Sequence, residues 1–118
     1  MKYILLSLLT ISLLSCVGPF GNKSIKVKII NESQVAISNV KLTTSENLDS
    51  LFFAYIESDA KESGNLNLEK NKTDGEYNLS FKQNGKYHIV KSGYYTNGRS
   101  LDYSMNIVVK NDTAFVSY

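Results

Sequence analysis

After residue 23 the chain alternates between apolar and polar positions in short runs, which turn residues separate at a spacing of roughly ten residues. The segment SIKVKII, for example, places Ile25, Val27 and Ile29 on one face and two lysines on the other. Alternation with a period of two is typical of β-strands that are buried on one face only. The pattern therefore predicts a series of short strands, and no amphipathic helix, heptad or internal repeat stands out.

The segments that follow predict strands in different positions of a sheet. NVKLTT places Val40, Leu42 and Thr44 on one side, as in a half-buried strand. LFFAYIES is apolar on both faces, which predicts a central strand. GNLNLEK has fewer apolar positions and predicts an edge strand within a mixed-charge, solvated stretch.

The last two hairpins can be predicted with their register. GEYNLSFK and KYHIVK flank Asn84-Gly85, the strongest two-residue hairpin signal, and LDYSMNIVVK and TAFVSY flank Asn111-Asp112. Taking these dipeptides as the loops places apolar side chains opposite one another. The predicted pairs are Phe81 with His88, Leu79 with Val90, Tyr77 with Ser92, Val109 with Ala114, Ile107 with Val116, and Met105 with Tyr118. Seven to eight short antiparallel strands then predict an all-β fold, a β-sandwich.

The first fifteen residues have a different pattern. One charged residue, Lys2, precedes an apolar run that only Ser7, Thr10 and Ser12 interrupt. The run is about a dozen residues long, and a membrane-spanning helix needs about 20. A basic start, a short apolar segment and a small residue at its end predict a secretory signal peptide. The alternative is a buried hydrophobic helix.

Cys16, the one cysteine of the 118 residues, follows directly. Leu13-Leu14-Ser15-Cys16 resembles the lipobox of bacterial lipoproteins, in which an aliphatic residue lies three positions before the cysteine and a small residue directly before it. The resemblance implies cleavage between Ser15 and Cys16 and a covalent lipid on the Cys16 thiol, whose thiolate form is the reactive species. The alternatives are a free thiol within the signal and a secreted protein that is cleaved nearby.

These observations divide the chain into three parts: a signal peptide at 1–15, the lipidated cysteine and a flexible tether at 16–23, and a β-sandwich domain at 24–118. The tether CVGPFGNK contains two glycines and the single proline, and fully extended it spans roughly 26 Å. We therefore expect the domain to lie close to a membrane. In Bacteroidota, an acidic cluster directly after the cysteine resembles a surface-export signal. No such cluster follows Cys16 in this chain. The expected location is the periplasmic face of the outer membrane.

Two resemblances concern the part after the tether. NESQVAISNVKLTT, KTDGEYNLSF and the later Gly-Tyr step resemble carboxypeptidase-regulatory or transthyretin-like β-sandwich domains, in which a Thr-Asp turn with a glycine introduces a strand. The ordered set NVKLTT, DGEYNLSF, SGYYTNG, LDY and a closing Asn-Asp hairpin is similar to small lipoproteins of the Bacteroidota kind. This resemblance implies a location and a fold, and it brings no activity.

The composition argues against several function classes. A formal net charge of +2 is too small for a nucleic-acid binder, which would carry a basic patch. His88 is the one histidine, so no His pair or His–Cys cluster can form a zinc site, and no G-x-S-x-G turn offers a nucleophile. Carboxylates that share one region, Asp49, Glu57, Asp59 and Glu62, would need a cleft to act as a glycosidase. We therefore expect no enzyme, no cofactor and no metal, and His88 to lie at the edge of the core.

SGYYTNGRSLDY is the most distinctive stretch of the chain. Tyrosine and arginine are the residue types that anchor interfaces, because they bury a large area and keep a polar end. The residues of this candidate partner-binding loop are Tyr94, Tyr95, Asn97, Arg99 and Tyr103. In the alternative interpretation, Tyr94 and Tyr95 only cap one end of the sandwich.

Two short motifs are similar to the O-glycosylation pattern of Bacteroidota, in which an acidic residue precedes a hydroxyl and a small or aliphatic residue. They are Asp49-Ser50-Leu51 and Asp112-Thr113-Ala114, so Ser50 and Thr113 are the candidate sites.

The functional expectation is a non-catalytic lipoprotein that is anchored through the lipid on Cys16 and acts as a binding or accessory subunit of an envelope complex. The alternative is an inhibitor or immunity-type lipoprotein that blocks a hydrolase. Its expected partners are the membrane and an envelope protein.

Overall fold

The computed structural model describes residues 21–118, which form nine β-strands and no helix. The predictions for Ser15 and Cys16, like the rest of the signal peptide, lie outside these described residues. The strands are β1 (Ser24–Asn31), β2 (Ile37–Thr44), β3 (Ser50–Ile56), β4 (Lys61–Asn67), β5 (Gly75–Gln83), β6 (Lys86–Thr96), β7 (Arg99–Ser100), β8 (Ser104–Lys110) and β9 (Thr113–Ser117).

The strands form two sheets, one of four strands in the order β4-β1-β8-β9 and one of five in the order β3-β2-β5-β6-β7. Apolar side chains of both sheets belong to a single buried cluster, to which β1 contributes Ile25, Val27 and Ile29 as its alternation predicted. The other sheet contributes, among others, Leu42 of β2 and Phe81 of β5 to this cluster. The all-β sandwich predicted from the sequence is therefore confirmed.

The two predicted hairpins form with the expected register, from Tyr77 opposite Ser92 to Phe81 opposite His88 in one, and with Val109 opposite Ala114 in the other. Only the pair of Met105 with Tyr118 is absent, because β9 ends at Ser117. The Tyr118 hydroxyl lies instead 3.3 Å from the Ser92 hydroxyl in the opposite sheet.

One pairing differs from the antiparallel arrangement that was expected throughout. β1 and β8 run parallel, with Val27 beside Met105 and Ile29 beside Ile107. Both strands are apolar on one face and polar on the other, and this pattern is compatible with parallel as well as antiparallel pairing. The direction follows from the order in which the chain crosses between the sheets, which local alternation does not encode.

The prediction of a central position for LFFAYIES is wrong. β3 is an edge strand that pairs with β2 alone, and Phe52 and Tyr55 are both more than half exposed. The regular alternation breaks between Phe53 and Tyr55, opposite Asn39, whose φ is +49°. The prediction of an edge strand for GNLNLEK is confirmed, since β4 borders only β1.

The chain enters the sandwich before β1. The Asn22 N–H donates to the carbonyl oxygen of Ser100, and the Ser100 N–H donates to the Asn22 carbonyl, both at 2.8 Å. The end of the predicted tether is therefore already fixed against β7.

Candidate binding site

Tyr95, one of the five residues of the predicted partner-binding loop, is a core residue. Its side chain is fully buried, and its ring lies 5.7 Å from the ring of Tyr77 at an angle of 50°. Its hydroxyl donates a 2.9 Å hydrogen bond to Glu46 Oε2. In the free chain Tyr95 therefore belongs to the core, and its part in a partner-binding loop stays a prediction.

The Glu46 carboxylate connects two loops. Its Oε1 accepts hydrogen bonds of 3.2 Å from the backbone N–H groups of Lys72 and Thr73, while Oε2 accepts the bond from Tyr95. Partial desolvation acts to raise the pKa of Glu46, but the hydrogen bonds from Thr73, Tyr95 and Lys72 together hold it below its ordinary value. The ionised carboxylate thus ties the β2–β3 loop to the β4–β5 loop.

Asn97 and Gly98 form the two-residue turn between β6 and β7. Their φ angles of +51° and +69° are those of a type I′ turn. The Asn97 N–H donates to Asp74 Oδ1 and the Gly98 N–H to the Thr73 carbonyl oxygen, both at 2.9 Å. The tip of this hairpin is therefore held against the β4–β5 loop, and it does not project from the body. Arg99 follows in β7 and is partly buried.

The remaining two predicted residues are exposed. Tyr94 lies in β6 and is half exposed. Tyr103 lies between β7 and β8 and is 80% exposed. The backbone of Tyr103 is fixed, because its carbonyl oxygen accepts a 3.1 Å hydrogen bond from the Lys26 N–H. Tyr103 is thus a solvent-facing ring on an anchored segment.

Tyr103 forms one wall of a groove on the outer face of the four-stranded sheet. The groove consists of two adjoining depressions of about 360 and 500 Å³, which share Lys26, Asn65 and Ser104. Asn22 and Ser24 line the end that Tyr103 borders. The strand register arranges the polar side chains in two rows, Asn65 with Lys26 and Ser104, and Ser63 with Lys28 and Asn106.

Hydroxyl, amide and ammonium groups beside an aromatic ring suit a polar ligand or a polar protein surface. The ion pairs found within residues 21–118 join Lys91 to Glu76 and Lys110 to Glu32, so they do not involve Lys26 or Lys28. Sequence reasoning missed the groove, although Lys26 and Lys28 occupy the outward positions that the alternation of β1 predicted. The sequence signal for the groove was incomplete, because its lining residues become neighbours only when β1 pairs with β4 and β8.

His88 lies where the sequence predicted it. Its ring stacks on Phe81 with 5.1 Å between the ring centroids and an interplanar angle of 15°. Within residues 21–118 no group of three or more histidine, cysteine, aspartate or glutamate side chains is arranged to hold a metal ion. No helix of this region has the length and apolarity of a membrane span.

Ser50 and Thr113, the candidate glycosylation sites, are exposed and are the first residues of β3 and β9. Their O-glycosylation stays a prediction.

Comparisons with known proteins bear on the fold alone. No family model matches the chain, and no curated protein matches it. Among solved structures, an NMR structure of a protein from Eubacterium rectale aligns with a TM-score of 0.53 at 10% identity. The alignment covers 85% of this chain and 92% of that one. This is similarity between two folds, and it carries no information about function.

Proposed function

We propose that the protein is a non-catalytic lipoprotein, anchored through Cys16 at the periplasmic face of the outer membrane, that acts as a binding or accessory subunit of an envelope complex. The lipobox-like Leu13-Leu14-Ser15-Cys16 supports the anchor. The observation that carries the binding role is the groove, in which the 80% exposed ring of Tyr103 stands beside Lys26, Asn65 and Ser104.

The position of the groove fits the proposed anchor. Asn22 lines one end of it and is close to Cys16 along the chain. The segment from Cys16 to Asn22 spans at most about 20 Å when it is fully extended. A lipid on Cys16 would therefore hold the Tyr103 end of the groove near the membrane surface, where the components of an envelope complex are found.

Site-specific photo-cross-linking in the native envelope tests this role. A photoreactive phenylalanine analogue at Tyr103 is expected to give a discrete adduct with one envelope protein, which mass spectrometry identifies. The matched control is the same analogue at Tyr87, which is exposed on the outer face of the five-stranded sheet. The binding role is contradicted if position 103 yields no adduct, or the same set of adducts as position 87.

The structure gives the inhibitor alternative no specific support at the β6–β7 hairpin. An inhibitory loop that plugs a hydrolase has to project, whereas Asn97 and Gly98 are bonded to Asp74 and Thr73 of a neighbouring loop. The accessory-subunit role is therefore the one we propose.

A further inference from the structure

Two hairpin turns of the chain share the sequence Asn-Gly and nearly the same backbone conformation. Asn84 and Asn97 both have a φ of +51°, and the glycines that follow them have φ angles of +76° and +69°. Asn-Gly is the dipeptide that deamidates most readily, because glycine has no side chain to shield the backbone nitrogen that attacks the asparagine amide. A difference in reactivity between these two turns must therefore come from the fold around them.

The attacking nitrogen is held in one turn and exposed in the other. The Gly98 N–H donates a 2.9 Å hydrogen bond to the Thr73 carbonyl oxygen, and Gly98 is buried against the backbone of Asn71. The Gly85 N–H donates no hydrogen bond to any residue between 21 and 118. Asn84 and Gly85 are both exposed, and a Cβ at Gly85 would have no atom within 4 Å. The β5–β6 turn therefore has room to change its shape.

The two-residue turn between β8 and β9 is held like the β6–β7 turn. Asn111 precedes Asp112, whose N–H donates a 2.8 Å hydrogen bond to Gln83 Oε1. The Asn111 side chain is also engaged, since its Oδ1 accepts a 3.3 Å hydrogen bond from the Gln34 N–H. Among these three turns of residues 21–118, only the β5–β6 turn has its asparagine followed by a backbone nitrogen that is not hydrogen-bonded.

We propose that Asn84 is a deamidation site of the folded protein and that the fold protects Asn97 from the same reaction. This inference goes beyond the proposed envelope role and does not depend on it. The substrate is the side-chain amide of Asn84, and water is the co-reactant.

The reaction forms and breaks bonds at Cγ of Asn84. The Gly85 nitrogen loses its proton and attacks Cγ, which closes a five-membered succinimide ring. The Cγ–Nδ2 bond breaks, and ammonia leaves with the proton. Water then adds to one of the two ring carbonyls, and the C–N bond at that carbonyl breaks. One product is aspartate, and the other is isoaspartate, in which the main chain runs through Cγ.

The contacts of Gly98 oppose each part of this reaction at Asn97. The Gly98 nitrogen would have to leave the Thr73 carbonyl oxygen before it could turn towards Cγ of Asn97. The backbone of Asn71 occupies the space beside Gly98 that such a rotation needs. Asn97 can therefore react only when the β6–β7 hairpin opens locally, whereas Asn84 can react in the closed fold.

Peptide mapping after ageing tests this selectivity. The full chain is incubated in its folded state at mildly alkaline pH, which favours loss of the proton from the backbone nitrogen, and is then digested with trypsin. Cleavage places the three asparagines on separate peptides, 83–86, 92–99 and 111–118, so mass spectrometry follows each one alone. We expect Asn84 to deamidate at least about tenfold faster than Asn97, because one hydrogen bond accounts for a factor of that order.

The same chain aged in concentrated urea is the control for intrinsic reactivity. Unfolding removes the hydrogen bond of Gly98, so Asn84 and Asn97 should then react at equal rates. In the folded, aged sample, an isoaspartyl methyltransferase with radioactive S-adenosylmethionine should label peptide 83–86. A digest of unaged protein corrects for deamidation during digestion.

Gly85→Ala is the matched variant, because its Cβ would shield the attacking nitrogen without contacting another residue. It should slow the reaction at Asn84 and leave Asn97 unchanged, and a thermal melt checks that the variant is folded. Equal rates at Asn84 and Asn97 in the folded chain would overturn the protection. An Asn84 that reacts in urea but stays intact in the folded chain would overturn the site.

Discussion

Two tyrosines that are packed against each other differ in their hydrogen bonding. The Tyr95 hydroxyl donates to Glu46, whereas the Tyr77 hydroxyl is buried and makes no well-formed hydrogen bond to any residue between 21 and 118. Burial raises the pKa of Tyr77, and the nearby Ser100 hydroxyl offsets part of that rise. The Ser100 hydroxyl is itself bonded to the backbone of Asp102 at 2.7 and 3.2 Å, and the Tyr77 hydroxyl has no hydrogen-bond partner among the described residues.

Removing the Tyr95 hydroxyl should therefore destabilise the fold, whereas removing the Tyr77 hydroxyl should not. Tyr95→Phe should lower the free energy of unfolding by about 1.5 kcal/mol, the low end for a bond to a charged group, since Glu46 is partly exposed. Tyr77→Phe should leave that energy unchanged or raise it by up to about 1 kcal/mol, because it removes an unsatisfied buried group. Urea denaturation of both variants measures the difference. Equal losses in the two variants would contradict this assignment.

Glu46 predicts a pH dependence of stability. Desolvation acts to raise its pKa, but the hydrogen bonds from Thr73, Tyr95 and Lys72 hold it below its ordinary value of 4.5. The folded state thus holds its proton less tightly than the unfolded state, and this contribution to stability is present above pH 4.5. It is lost as the pH falls through the lower, folded pKa.

Glu46→Gln should accordingly melt at a lower temperature than the wild type at neutral pH, and the difference should shrink as the pH falls below 4.5. Glu69→Gln, at an exposed position in the β4–β5 loop, is the matched control and should follow the wild type throughout. Thermal melts across this pH range give the comparison. A difference between Glu46→Gln and the wild type that is independent of pH would contradict the role of the ionised carboxylate.

At the scale of elements, the hairpins were predictable and the neighbours in the sheets were not. Asn84-Gly85 determines its hairpin through local backbone preference, so its register could be derived from the sequence. Asn97-Gly98 carries the same signal, yet the two-residue β7 that follows was too short to recognise as a strand. The edge position of β3 and the parallel pairing of β1 with β8 depend on contacts between distant segments, which alternation within one segment does not record.

The two Asn-Gly turns allow a matched test of tertiary contact at the same turn position. Gly85 and Gly98 have φ angles of +76° and +69°, so alanine is strained at both. A Cβ at Gly85 meets no atom within 4 Å, whereas one at Gly98 would clash with the Asn71 carbonyl oxygen.

Gly85→Ala should cost about 1 kcal/mol of unfolding free energy, and Gly98→Ala about 3 kcal/mol, because only the second also displaces packed backbone. Urea denaturation under identical conditions measures both values. Equal destabilisation would mean that the β6–β7 hairpin is not held against the β4–β5 loop.

At the scale of the whole molecule, the groove and the exposed aromatic side chains of β3 lie on different sheets. The groove beside Tyr103 occupies the outer face of the four-stranded sheet, and β3 is an edge strand of the five-stranded sheet. Tyr103 was identified from its residue type and its position in a loop, while the lysines of the groove were not, because lysine on the outer face of a strand is common.

The proposed anchor determines where the groove acts, and metabolic labelling with radioactive palmitate tests it most directly. The wild type is compared with Cys16→Ala and with Ser15→Ala, which keeps a small residue before the cysteine. We predict labelled, membrane-bound protein for the wild type and Ser15→Ala, and no label on Cys16→Ala. Equal labelling of Cys16→Ala and the wild type would contradict the anchor.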